Sequence, residues 1–261
     1  MIGSIGVCPL SIIAMRKEPS ERSEMVSQLV FGESFTIEES SRDEKWVRIT
    51  THFDNYPGWI SQNQLEASAL PTTGKEELSG VPICKSLIGL VRSDAGYFPV
   101  LMGTPLPGLN DQNHMIVGAT RYQFEGESVL PGRFNAGIME VYARFFMGAP
   151  YLWGGKTHFG IDCSGYTQQV FRAFGMALPR DAAQQAQEGF HQTIGAIESG
   201  DLVFFQNEEG KVVHVGLYFG KNMVYHASGK VRVDFLKEDG LYNAENGLKT
   251  HHFHSLRRIR N

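Results

Sequence analysis

Cys163 stands in Ile161-Asp162-Cys163-Ser164-Gly165, shortly after the turn-rich Gly148-Ala149-Pro150-Tyr151-Leu152-Trp153-Gly154-Gly155, and His214 and His226 lie downstream in two apolar runs. These residue types suit nucleophilic chemistry: a thiolate attacks a carbonyl, one imidazole takes and returns the proton, and a third polar group orients that imidazole. From Gly165 onward Tyr166, Val170, Phe171 and Phe174 recur at helical spacing and the run ends near Gly175, so Cys163 falls in the first turn of a helix. The position predicts a thiolate stabilised by the helix N-terminus, with backbone N–H groups at the same end to receive a developing oxyanion. A lone cysteine is by default a buried, inert one, and the two histidines are what set Cys163 apart.

The histidines need strands to hold them. Val212-Val213-His214-Val215-Gly216-Leu217-Tyr218-Phe219 and Met223-Val224-Tyr225-His226-Ala227-Ser228 have strand character, and Gly220, Lys221 and Asn222 between them read as a hairpin turn. If the turn centres on Gly220, His214 and His226 face each other across the hairpin. A one-residue slip breaks that relation, and the sequence leaves the turn type open. Upstream, residues 134–147 carry Ile138, Val141, Tyr142, Phe145 and Phe146 on a helical stripe, which is expected to pack beside the Cys163 helix. A short helix follows Asp181, its expected N-cap, and strands are expected at 201–205, 212–219, 223–227 and 255–260. Helices first and an antiparallel sheet after them make an α+β layout.

The first half reads differently. Residues 1–66 contain short β runs at 6–14, 25–29, 34–38, 45–50 and 58–60, broken by turn signals, the pattern of a small barrel; Trp46 and Trp59 read best as its core filling. Residues 67–80 read as a linker or irregular arm. From Val81 the β pattern resumes at 87–91, 98–102 and 114–117, as in a second, more divergent barrel. The division expected is therefore 1–66, 67–130 with the linker, and 131–261.

The 261 residues carry a net charge of −4, which offers no field for a polyanion and argues against nucleic acid as a partner. The three cysteines form neither a zinc pattern nor a disulfide framework, which favours a reducing compartment. No stretch is apolar enough to span a bilayer, and residues 1–14 make a poor signal peptide. The expected location is cytoplasmic if the chain is complete, and periplasmic or secreted if it is a mature fragment. His251-His252-Phe253-His254 invites a metal, but only His252 and His254 would share a strand face and no matching ligand set is evident, so neither metal nor cofactor is expected.

In order along the chain, Gly-Ala-Pro-Tyr-Leu-Trp-Gly-Gly at 148–155, Asp162-Cys163-Ser164-Gly165, Leu178-Pro179-Arg180-Asp181, Gly200-Asp201-Leu202-Val203-Phe204-Phe205, His214-Val215-Gly216-Leu217-Tyr218 and Tyr225-His226-Ala227-Ser228 resemble the NlpC/p60 cysteine peptidases of bacterial cell-wall peptides. The resemblance covers about the last half of the chain. It implies a papain-like catalytic domain, and Trp46-Val47-Arg48-Ile49 and Tyr56-Pro57-Gly58-Trp59-Ile60 are similar to the closing strands of a bacterial SH3 domain, so that two SH3-like barrels precede it.

For members built in this way the resemblance implies a γ-D-glutamyl-L-diamino acid endopeptidase of the dipeptidyl-peptidase VI type. Such enzymes cut after the D-Glu of L-Ala-γ-D-Glu-diaminopimelate, a murein peptide, in peptidoglycan recycling. Carried over residue by residue, Cys163 is the nucleophile, His214 the base and His226 the group that orients it. The Tyr151 hydroxyl lines the site near the thiol, or else packs on Trp153. Asp162 and Ser164, with Glu33 and Tyr56 from the first barrel, receive the free α-amine of L-Ala. Arg180 meets the D-Glu α-carboxylate or makes a structural salt bridge. Ala182 departs from relatives that often carry Ser or Thr there, which puts one polar substrate contact in doubt. Two other readings stay open: a cell-wall binding module with a vestigial catalytic half, against which the retention of Cys163, His214 and His226 argues, and an amidase or acyltransferase of the same fold.

Overall fold

Among the described residues, strand follows strand from Ile5 to Val129, and the first α-helix begins at Ala136. The computed structural model describes residues 2–65 and 80–259. Apart from Gly80, the arm expected at 67–80 lies outside the described residues. The chain divides into two units, Met1–Gly132 with Gly175–Ala177, and Arg133–Phe174 with Leu178–Asn261.

The first unit opens with β1 (Ile5–Val7), β2 (Ile12–Arg16), β3 (Met25–Val30), β4 (Ser34–Ser40), β5 (Trp46–Thr51) and β6 (Pro57–Ser61), paired in the order β1-β4-β5-β6-β2-β3. Alternate residues turn inward, so that Ile13 and Met15, Phe35 and Ile37, and Val47 and Ile49 meet with Cys8, Leu29 and Ile60 in one barrel core. Trp46 is buried and Trp59 half-buried. A second set follows: β7 (Ile83–Cys84), β8 (Ile88–Ser93), β9 (Gly96–Leu101), β10 (His114–Val117), β11 (Thr120–Glu125) and β12 (Ser128–Val129), of which β11 and β12 are absent from the sequence reading. Its core takes in Phe31 from the turn after β3, whose ring meets Phe98 and Tyr122 edge-on at 5.6 and 5.2 Å. The two sheets therefore share apolar surface. Cys8 and Cys84 are buried in these cores outside any disulfide, and burial pushes the Cys84 thiol up to about 11.

The second unit contains α1 (Ala136–Phe145), the hairpin β13 (Lys156–Thr157) and β14 (Gly160–Ile161), α2 (Cys163–Arg172) and α3 (Ala182–Gln185). Then come β15 (Phe190–Gln192), β16 (Leu202–Gln206), β17 (Val212–Tyr218), β18 (Met223–Ser228), β19 (Lys230–Lys237), β20 (Gly240–Tyr242) and β21 (Lys249–Arg258). They pair antiparallel in the order β15-β21-β16-β17-β18-β19-β20, and β20 pairs back onto β21, so six strands close into a barrel that leaves no open edge among them. Val203, Phe205, Tyr218, Val224, Leu236, Leu241 and Leu256 fill it. Residues of the opposite parity, among them Val215, Leu217 and Tyr225, are buried on the outer face, where α2 packs on β17 and β18. The last strand begins at Lys249, earlier than the Ser255 expected from sequence, and β19 and β20 were not expected.

The stripe on α1 is corrected. Ile138, Val141 and Phe145 are exposed, while Met139 and Ala143, with Phe146 just after the helix, turn inward, and the Tyr166 hydroxyl of α2 donates to the Ala143 carbonyl. The helix is apolar nearly all round, so its periodicity did not define which face is buried. Among the described residues, no helix is long and apolar enough to cross a membrane, and no three His, Cys, Asp or Glu side chains are grouped to hold a metal.

Candidate active site

Asp162 caps α2 and organises the loop around Cys163. One carboxylate oxygen accepts from the Gly165 N–H at 2.7 Å and the other from the Gly154 N–H at 2.9 Å. Arg180 adds a two-pronged ion pair, one prong at 3.0 Å, and also donates to the Ser164 hydroxyl at 2.9 Å. All three side chains are buried, so each charge needs its partner. Of the two roles left open for Arg180, the structure shows the salt bridge. Two glycines make the close approach possible: a Cβ on Gly165 would lie 2.3 Å from the Gly155 carbonyl oxygen, and one on Gly155 would lie 2.3 Å from that of Gly160. On the other side, the Gly148 and Tyr151 N–H groups donate to the Val231 and Gly229 carbonyls, tying this loop to the start of β19.

Cys163 is the first residue of α2 and is 6 % exposed. Its thiol is pushed up to about 12, first by burial and then by the Asp162 carboxylate, against the pull of the Val215 and Ser164 N–H groups and Arg180. Burial thus opposes the thiolate that the helix end favours. Tyr151 is half-buried, and burial together with the nearby Cys163 and Asp162 pushes its hydroxyl to about 12. Trp153 beside it is exposed.

Val215, whose N–H meets the sulfur, follows His214 on β17. Between β17 and β18, Leu217 pairs with Tyr225 and Tyr218 with Val224, so the turn centres on Lys221 and not on Gly220. Lys221 and Asn222 both have positive φ (49° and 60°), and the Met223 N–H closes onto the Gly220 carbonyl at 2.8 Å, the form of a type I′ turn. The slip from the expected register is two residues, which preserves the face. His214 and His226 become diagonal neighbours, and His214 Nε2 lies 2.9 Å from His226 Nδ1. A bulge at Val213, where the β16–β17 register shifts, re-aims the strand just before His214.

Sequence reasoning missed the next member. His226 Nε2 lies 3.0 Å from Asp234 Oδ2, and Asp234 sits on β19, a strand not expected. The carboxylate only accepts, so His226 carries its proton on Nε2; its Nδ1 then accepts from His214 Nε2–H, and His214 Nδ1 is left unprotonated. Burial holds His214 well below the usual imidazole range, helped by the neighbouring His226, His251 and Arg232; His226 is also lowered, with Asp234 opposing. His251 was missed as well: its ring stacks on His214 at 4.2 Å, and burial lowers it to about 4. His252 and His254 point outward. The signal available for Asp234 was the alternation in Lys230-Val231-Arg232-Val233-Asp234-Phe235, which places Arg232 and Asp234 on one strand face.

Glu33 and Tyr56 belong to the first unit. Glu33 is buried in the turn before β4, where one carboxylate oxygen accepts from the Val30 N–H at 3.0 Å; Tyr56 is half-buried against the first barrel core.

A buried thiol at a helix start and a strand imidazole backed by a second imidazole thus stand on helices packed against an antiparallel barrel, a papain-like architecture. Residues 148–249 match the NlpC/P60 family, and residues 15–65 match the bacterial dipeptidyl-peptidase Sh3 domain. The gamma-D-glutamyl-L-lysine dipeptidyl-peptidase of Bacillus subtilis (strain 168) is 33% identical over 218 residues, 77% of this chain and 71% of that protein. The protein of the same name from Bacillus cereus (strain ATCC 10987 / NRS 248) is 27% identical over 237 residues, 78% of this chain and 68% of that one. The crystal structure of an NlpC/P60 family protein from Bacillus cereus ATCC 10987 is similar in fold, with a TM-score of 0.81 over 99% of this chain and 100% of that one at 18% identity. The chain belongs to the NlpC/P60 family.

Proposed function

We propose that this protein is a cysteine peptidase that hydrolyses the bond between γ-D-Glu and the diamino acid in cell-wall peptides with a free N-terminal L-Ala. The observation that carries the chemistry is the 2.9 Å contact from His214 to His226, which leaves His214 Nδ1 as an acceptor on the residue next to the N–H that meets the Cys163 sulfur. The substrate is supported by the names of the two Bacillus relatives, whose alignments extend well beyond the NlpC/P60 match.

The steps follow from the proton positions. Cys163 Sγ attacks the γ-carbonyl carbon as its proton passes to His214 Nδ1, and the carbonyl oxygen becomes an oxyanion near the first-turn N–H groups of α2. The C–N bond then breaks and His214 returns the proton to the leaving amine. Water, deprotonated by His214, hydrolyses the thioester and restores the thiol. Burial disfavours the charged forms of both groups, so in this mechanism charge separates as the bond to carbon forms.

The test is incubation with L-Ala-γ-D-Glu-diaminopimelate, its lysine counterpart, the N-acetylated forms of both, and intact sacculi. Release of L-Ala-D-Glu from the free peptides, with kcat/KM for the acetylated ones lower by about 10²-fold or more, supports the reading. Cleavage at another amide, or equal rates on free and acetylated peptides, overturns it.

A further inference from the structure

A cysteine and two histidines complete the proton path, yet the structure continues one residue further. Asp234 is 1 % exposed, and its carboxylate is met by donors: His226 Nε2 at 3.0 Å, Arg232 Nε at 3.1 Å and Nη2 at 3.0 Å on one oxygen, and the Ala244 N–H at 3.0 Å on the other. Arg232 pairs directly with His226 across β18 and β19, so alternate residues of β19 present a cation and an anion to the same imidazole. The backbone donor on the second oxygen prevents the carboxylate from turning away.

We infer that Asp234 is a positioning residue of the reaction: held by Arg232 and Ala244, it fixes the proton of His226 on Nε2, and through His226 that of His214 on Nε2. Without it His226 can carry its proton on Nδ1, which then faces the His214 Nε2–H donor to donor. His214 must in that case rotate or change tautomer, and Nδ1 ceases to be the base. This inference rests on the reading of Cys163 and His214 as nucleophile and base. Among the described residues, the titratable and charged groups that face the two imidazoles are Asp234 and Arg232 on β19 and His251 on β21, stacked on His214 and edge-on to His226; Cys163 at the start of α2 meets the N–H of Val215, next to His214.

Two substitutions with opposite electrostatic signs separate positioning from simple support of the fold. Asp234→Asn removes the anion and leaves one acceptor oxygen where donors meet both carboxylate oxygens, so it should lower kcat by about 10²-fold with KM little changed. It should also move the acid limb of the kcat/KM profile to lower pH, because the imidazoles lose the charge that favours their protonation. Arg232→Gln removes the cation and should move that limb to higher pH.

A readout independent of turnover is the 15N shifts of the histidine rings, assigned with single His→Ala variants. Wild type should show both rings protonated on Nε2, and Asp234→Asn should show His226 released to a mixture. If wild type cleaves the peptide but Asp234→Asn retains both the tautomers and the pH profile, or both variants move the limb in one direction, the positioning role is overturned. If wild type cleaves none of the peptides while the tautomers respond as described, the substrate assignment fails and the proton arrangement stands.

Discussion

His214 Nε2 reaches His226 Nδ1 at 2.9 Å although the two are diagonal neighbours on their strands; the residue across from His226 is Gly216, where an added Cβ would lie 3.1 Å from the His226 Cβ. The glycine clears the space that lets the second ring sit close to the first. In the proposed mechanism His214 holds the transferable proton site and His226 acts through it. His214→Ala should lower kcat/KM by about 10³-fold or more, and His226→Ala by about 10- to 10²-fold, mostly in kcat. Steady-state kinetics on the free peptide checks this; equal, small losses would contradict the roles.

Gly216→Ala tests the clearance itself. The new Cβ would stand 2.5 Å from Val224 Cγ1 and 3.1 Å from the Tyr225 carbonyl oxygen, on a strand pinned on both sides. The expected result is a loss of about 1–3 kcal/mol in unfolding free energy from overpacking, together with a fall in kcat as the two rings separate. Unchanged stability and activity would mean that β17 and β18 can part at this point without cost.

These relations show how far the sequence alone could reach. The placement of Cys163 at a helix start and of His214 and His226 on neighbouring strands was legible because a cysteine heads an apolar-periodic run and each histidine lies in an apolar β run. The first barrel was legible because its strands alternate cleanly and its turns are marked. Asp234 was not, since Arg232 and Asp234 look like an exposed charged face until the closure of β20 onto β21 puts that face inside the barrel. His251 was read as part of a histidine cluster because the bulge between Phe204 and Phe205, which shifts the β16–β21 register, has no signature in composition. The balance at the Cys163 thiol was hidden for a different reason: helix position is visible in sequence, whereas the burial that opposes it is not.

The protonation state of Cys163 can be measured directly. With the thiol near 12, its thiolate fraction grows about tenfold per pH unit over the accessible range. Alkylation of Cys163 by iodoacetamide, followed by peptide mapping to separate it from Cys8 and Cys84, should therefore rise steadily from about pH 6 to about pH 9. A plateau reached by about pH 6 would show a preformed thiolate–imidazolium pair.

Acid should destabilise the fold through its buried imidazoles. His158 stacks on Phe146 at 3.9 Å with neither ring nitrogen hydrogen-bonded among the described residues, and it and His251 are both lowered by burial to about 4 from 6.5; His214 and His226 are lowered too. Each takes up its proton more readily in the unfolded chain, so stability is full above 6.5 and is lost as pH falls toward 4. Thermal unfolding should show a midpoint that drops steadily across that window, and His158→Phe should reduce the drop. A flat midpoint down to pH 4 would contradict the burial of these rings as neutral species.

The most direct test of the account is whether the acyl group of the substrate passes through the Cys163 sulfur. Wild type and Cys163→Ala are mixed with L-Ala-γ-D-Glu-diaminopimelate, quenched in acid at early times, and read by mass spectrometry for products and for the peptide that contains residue 163. Wild type should release L-Ala-D-Glu and show a transient L-Ala-γ-D-Glu thioester on Cys163, while Cys163→Ala should fold normally and lose activity by about 10⁴-fold or more. Cleavage by Cys163→Ala at a rate near that of wild type, or an acyl adduct on another residue, would contradict it.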